Sequence, residues 1–172
     1  MLRNLGLIED FPLKLHGIYT RDQIKVAIGT STISHKSPAR EGVERNKDLN
    51  VEAMFVDIIK NREEGSTTDY DDKALSPYLF QWDTQNQTKP NSPVGQAYIN
   101  QTQTMILFVR EQKKLVEDKT RTMGYSYLGR VTLSRWDVVD TKDGRKQMQI
   151  RWNMIEPIPG SVMHFARMKE IV

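Results

Sequence analysis

The sequence predicts an α+β domain, predominantly antiparallel β, with a bent or barrel-like sheet and a short N-terminal helix packed on it. Three observations carry that expectation. The apolar segments are short and rich in β-branched and aromatic residues. An Asp143-Gly144 pair sits between two alternating segments, a strong short-range hairpin signal. Strands do not alternate with long helices, which argues against a doubly wound parallel sheet.

Taken in order, residues 1–18 are short, mixed and interrupted by Gly6, Pro12 and Gly17, and are expected to be a lead-in segment. Residues 19–172 are then expected to form one domain. Thr20 with Gln23 makes a capping box, Gly29 is a C-terminal stop, and Ile24, Ala27 and Ile28 share a face, so TRDQIKVAIG predicts a short amphipathic helix. Residues 30–49 read as a polar loop. VEAMFVDIIK (51–60) is apolar on both faces, as a central strand would be. In TMILFVRE (104–111), Met105, Leu107 and Val109 point one way and Ile106 and Phe108 the other, which requires burial on both sides. SYLGRVTL (126–133) is a third strand. The arm after the hairpin alternates Met148, Ile150 and Trp152 with Gln147, Gln149 and Arg151, so one of its faces meets water. The tail SVMHFARMKEI is expected to close the domain as a helix. The polar stretch 61–103 is too long for a plain connection and is expected to be functional or to contain further structure.

With 172 residues, 38% hydrophobic and 27% charged, the chain can bury its own core. It has no cysteine, which excludes disulfides, thiolate metal sites and a cysteine nucleophile. That composition, with no signal peptide, points to a reducing, cytoplasmic location. No apolar run approaches the roughly 20 residues that span a bilayer, so no membrane role is expected. The net charge of +3 permits a polyanionic partner without demanding one.

Most catalytic motifs are missing. There is no phosphate-binding glycine loop, no GxSxG elbow, and no metal-ligand spacing among His16, His35 and His164. No cofactor is expected. A metal-dependent nuclease centred on Asp57, with Lys60, Glu41 and Asp48, is the enzymatic alternative. Asp57 and Lys60 stand three apart, however, and in a regular strand they face opposite sides.

The more informative cluster is residues 66–98. It mixes Tyr70, Tyr78, Phe80, Trp82 and Tyr98 with amides such as Gln85 and Gln87. Aromatic faces stack on bases, and side-chain amides read base edges. Phe80 is expected in the core. For Trp82, Gln85 and Gln87, core and contact roles stand side by side.

Several segments in fixed order resemble an uncharacterised bacterial domain found at the C-terminal end of superfamily 2 helicases that carry a phospholipase-D-like nuclease module. They are YTRDQIKVAIG (19–29), REGV (40–43), VDIIK (56–60), STTDYDD (66–72), LFQWDTQNQT (79–88) with Gly95 and Tyr98, LFVRE (107–111) and YLGRV (127–131). The resemblance implies a role on DNA in restriction or antiphage defence, as a recognition part working with helicase and nuclease domains or subunits. It brings no site residues with it. DNA binding is therefore the expected function, with a modified base or a DNA structure as the feature read. Arg40, Arg45, Lys113 and Lys114 are candidates for phosphates, and Trp82, Gln85, Gln87 and Tyr98 for bases. A protein-interaction module docking a helicase or nuclease is a further alternative.

Overall fold

The structure is a computed structural model, and it describes residues 12–32, 34, 35, 37, 42–59, 71–85, 88–115, 117–141 and 144–167. The elements run β1 (Ile18–Tyr19), α1 (Arg21–Ala27), β2 (Val43–Asn46), β3 (Val51–Asp57), β4 (Lys73–Ser76), β5 (Leu79–Asp83), α2 (Pro93–Ile99), β6 (Thr104–Arg110), β7 (Tyr125–Asp140), β8 (Lys146–Met154) and α3 (Gly160–Ala166). The strands form one sheet in the order β2-β3-β6-β7-β8-β5-β4, with β1 paired to β7. All neighbours are antiparallel except β3 and β6, which run parallel from Val51 beside Thr104 to Asp57 beside Arg110. The sheet is bent and does not close into a barrel. No helix among the described residues is long and apolar enough to cross a membrane.

Two-faced burial of the central strands follows from their alternation. Met54, Val56, Met105, Leu107 and Val109 join Phe80, Trp82, Ile150 and Trp152 in the larger core cluster. Ala53, Phe55, Ile106 and Phe108 face the other way, into a second cluster with Tyr125 and Tyr127 under α1. α1 forms as its capping box dictates. Thr20 Oγ1 accepts from the Gln23 N–H at 3.2 Å, and Gln23 Oε1 accepts from the Thr20 N–H at 2.8 Å. Its Ile24 and Ile28 are fully buried, each worth about 1.5–3 kcal/mol relative to exposure. Lys25, also buried, reaches Glu44 on β2 at 3.4 Å and locks the helix to the sheet edge.

The expected polar loop 30–49 ends in a strand, β2. It was hidden because an edge strand of four residues with one buried side chain leaves no apolar run. The stretch 61–103 holds β4, β5 and α2, while residues 60–70 lie outside the described ones. The hairpin joins β7 to β8 with Gly144 at φ 80°, Asp143 lying outside the described residues. β7 is twice as long as its apolar core suggests, because its last third is exposed. At Leu128 the β6–β7 register slips by one residue, and Gly129 takes φ 90° there. A side chain at that angle would be strained, so the glycine of YLGRV is required by the bulge.

Candidate nucleic-acid interface

The parallel register of β3 and β6 ends by placing Asp57 beside Arg110. Arg110 clamps the carboxylate with both ends of its guanidinium, Nε to Oδ1 at 2.6 Å and Nη2 to Oδ2 at 3.1 Å. Its Nη1 donates to the Met123 carbonyl at 3.1 Å. So held, the guanidinium lies over the Tyr125 ring, 4.2 Å from its centroid. A second cation–π layer stands beside it, with Arg21 over Phe55 at 4.1 Å. Phe55 and Tyr125 meet edge to face, centroids 5.2 Å apart. Arg21 occupies the first turn of α1, where the helix dipole disfavours a cation; the Phe55 ring and a hydrogen bond with Tyr125 favour it there. Burial, and after it the charge of Asp57, push the Tyr125 phenol above its ordinary range.

The other flank comes from the end of β5. The Asp83 N–H donates to Asp72 Oδ1 at 2.7 Å. Asp83 itself accepts from the Asp71 N–H at 2.6 Å and from Gln149 Nε2 at 2.9 Å. Two residues on, Gln85 Oε1 accepts the Gly42 N–H at 3.1 Å, joining the chain after β5 to the lead into β2. A Cβ on Gly42 would collide with the Gln85 amide, so a larger residue there would displace that side chain. The bend of the sheet thus brings strands from its two halves around one pocket of about 450 Å³, with Trp82 in its wall and Lys113 exposed at its margin.

This geometry sorts the residues singled out from sequence. Gln85 and Lys113 line the pocket. Trp82 contributes to the wall, yet it is 2% exposed and packs against Tyr98 (5.5 Å, edge to face) and Trp152 (6.3 Å). Tyr98 is a correction. It is 3% exposed, its hydroxyl is bonded to buried Glu52, and its ring presents no free face for stacking. Its phenol is raised far above the ordinary range by burial and by the Glu52 charge. Arg45 is exposed on β2, opposite Glu52 and away from the pocket. Lys114 forms an isolated bridge with Thr122. Arg40 and Gln87 lie outside the described residues.

The sequence reading missed Arg21, Phe55, Asp72, Asp83, Arg110 and Tyr125 as a group. They come from five separate stretches of chain, and only the parallel β3–β6 pairing and the bend of the sheet unite them. One signal was available: Asp57 and Arg110 each end an apolar strand, as the two halves of an ion pair would. As a nuclease centre Asp57 is poorly placed, because both its oxygens are engaged by Arg110. Among the described residues no group of three His, Cys, Asp or Glu could hold a metal. Lys60 and Glu41 lie outside them.

Solved structures share this fold. The SUVH5 SRA domain in complex with hemi-methylated CG DNA superposes with a TM-score of 0.56 at 12% identity, over 91% of this chain and 99% of that one. The same domain bound to fully hydroxymethylated CG DNA superposes at 0.54 and 11%, over 91% and 97%. The modification-dependent TagI restriction endonuclease gives 0.52 at 13%, over 89% of this chain and 53% of that one, so the chain spans about half of that enzyme. At such identities the likeness establishes the fold alone. No curated protein matches the sequence. Residues 13–165 match the family described as a domain of unknown function, DUF3427, and the chain belongs to that family.

Proposed function

We propose that this chain is a DNA-recognition module that takes a modified nucleobase out of the stack and seats it in the pocket between β3, β6 and β5. The observation that carries the reading is the paired cation–π wall, Arg21 on Phe55 and Arg110 on Tyr125, facing the pocket with carboxylates and an amide opposite. Guanidinium planes and aromatic rings stack on unstacked bases. Carboxylates accept from exocyclic amino groups, as Asp or Glu does from cytosine N4. A base inside a duplex can reach such a pocket only by rotating out of it, at a cost of a few kcal/mol. The exposed Lys113 at the margin is suited to a phosphate of the flanking backbone. Support also comes from the fold neighbours, SRA domains solved with methylated and hydroxymethylated DNA and a modification-dependent endonuclease.

The wider role we propose is in a restriction or antiphage-defence system, with helicase and nuclease activities supplied by other domains or subunits. That context rests on the ordered segments of the sequence. The interaction-module reading has one observation in its favour. Beyond Val131, β7 is paired on one side only among the described residues, and its Trp136 and Val138 are exposed.

The test is titration of duplexes carrying one unmodified, methylated or hydroxymethylated cytosine, with a fluorescent base analogue at the target position in a parallel series. Tighter binding of a modified duplex, brightening of the analogue on unstacking, and loss of both in Arg21→Ala are expected. Lys113→Ala should weaken all duplexes alike and lower the salt slope by about 0.9. Absence of binding to every duplex at low salt would refute the reading and favour the interaction module.

A further inference from the structure

The pocket is larger and more polar than a methylated base requires. An apolar cavity of about 150 Å³ already accepts a six-membered ring, whereas this pocket has about 450 Å³. A base stacked on the cation–π wall therefore leaves space for a second ring. A methyl group is best met by apolar contact, yet the flank opposite the wall is formed by Asp72, Asp83 and Gln85, with Trp82 as its aromatic member.

The charges narrow the chemistry further. Asp57, Asp72 and Asp83 are matched by Arg21, Arg110 and Lys113, so the lining is electrically balanced. A phosphate or carboxylate substituent would meet the three aspartates, and an ammonium would meet the three cations. A neutral group rich in hydroxyls meets neither penalty. It can donate to carboxylates and accept from cations. An ionised carboxylate has about four acceptor positions, and Asp83 receives two protein donors, the Asp71 N–H and Gln149 Nε2. It keeps capacity for a ligand hydroxyl.

We infer that the pocket is built for a pyrimidine carrying a hexose-sized, hydroxylated substituent, a glycosylated base. The inference rests on the base-pocket reading above and specifies its ligand. The base lies on the Arg21–Phe55 and Arg110–Tyr125 layers. The sugar extends toward Asp72, Asp83 and Gln85, where its hydroxyls replace water. The Gly42–Gln85 hydrogen bond fixes the depth of that half of the pocket.

The experiment compares otherwise identical duplexes bearing cytosine, 5-methylcytosine, 5-hydroxymethylcytosine or glucosylated 5-hydroxymethylcytosine. The glucosylated duplex is expected to bind at least tenfold tighter than the methylated one. Gly42→Ala, which pushes a methyl against the Gln85 amide, and Gln85→Ala should each shrink the ratio of glucosylated to methylated affinity to near one. Melting temperatures of both variants confirm that they fold. Glucosylated DNA bound no tighter than methylated DNA overturns the inference and leaves the base-pocket reading standing. No preference for any modified base, with no brightening of the analogue, removes both.

Discussion

Replacing Trp82 with alanine separates a core residue from a base contact. Trp82 is 2% exposed and packs on Tyr98 and Trp152, so alanine leaves a void between these two aromatic residues. A buried Trp removes 150–250 Å² from water, which at about 25 cal/mol per Å² is roughly 4–6 kcal/mol before the part alanine retains is subtracted. Measured Trp→Ala losses in cores are about 3–5 kcal/mol. About 4 kcal/mol is the expected cost, and at 2–4 °C per kcal/mol for a chain of this size Tm should fall by about 8–16 °C. Urea unfolding should show the midpoint shifting with little change in slope. Trp82→Phe should recover more than half of the loss, since it refills most of the void. A Trp82→Ala protein that melts within about 2 °C of the parent but no longer binds DNA would refute the packing argument and return Trp82 to the role of a stacking platform.

Two further outcomes concern the carboxylates Asp57 and Glu52. Arg110→Met leaves Asp57 without its partner. Because Asp57 keeps 27% side-chain exposure, the cost should fall below the 3–5 kcal/mol of a fully buried pair, at about 2 kcal/mol. Adding Asp57→Asn should restore part of it, and strictly additive losses in urea unfolding would deny the coupling. Glu52 carries a carboxyl raised by burial, against the opposing influence of Tyr98, Arg45 and Gln103. The folded chain therefore holds that proton more tightly than the unfolded chain, and stability is lost as pH rises from the unfolded carboxyl range near 4.5 through the raised folded value. Glu52→Gln removes this titration. Its melting temperature relative to the parent should climb between pH 4.5 and 7, and a difference independent of pH would contradict the assignment.

How much of this was legible in the chain depends on the range of the interaction. The helix at Arg21–Ala27 needed only Thr20, Gln23 and the spacing of Ile24 and Ile28, all within one turn or two. The two-faced burial of β6 was readable because alternation alone assigns Met105, Leu107 and Val109 to one cluster and Ile106 and Phe108 to the other. The hairpin before β8 was a property of four residues. Such features are local, and local sterics and periodicity determine them before any tertiary contact forms.

The site is of another kind. Of the aromatic and amide cluster at 66–98, Trp82 and Gln85 line the pocket. But Tyr98 and Trp82 proved more valuable buried, where each removes far more apolar area from water than a surface platform would. The carboxylate of Asp57 is held by Arg110, which lies 53 residues away and reaches it only through a parallel pairing, so no local pattern could pair them. By itself the sequence determined a mainly antiparallel sheet, its two-faced central strands and its capped helix. Only the tertiary structure decided which carboxylates meet which guanidiniums, because strand order and sheet curvature emerge from burying both faces at once and are written in no single segment.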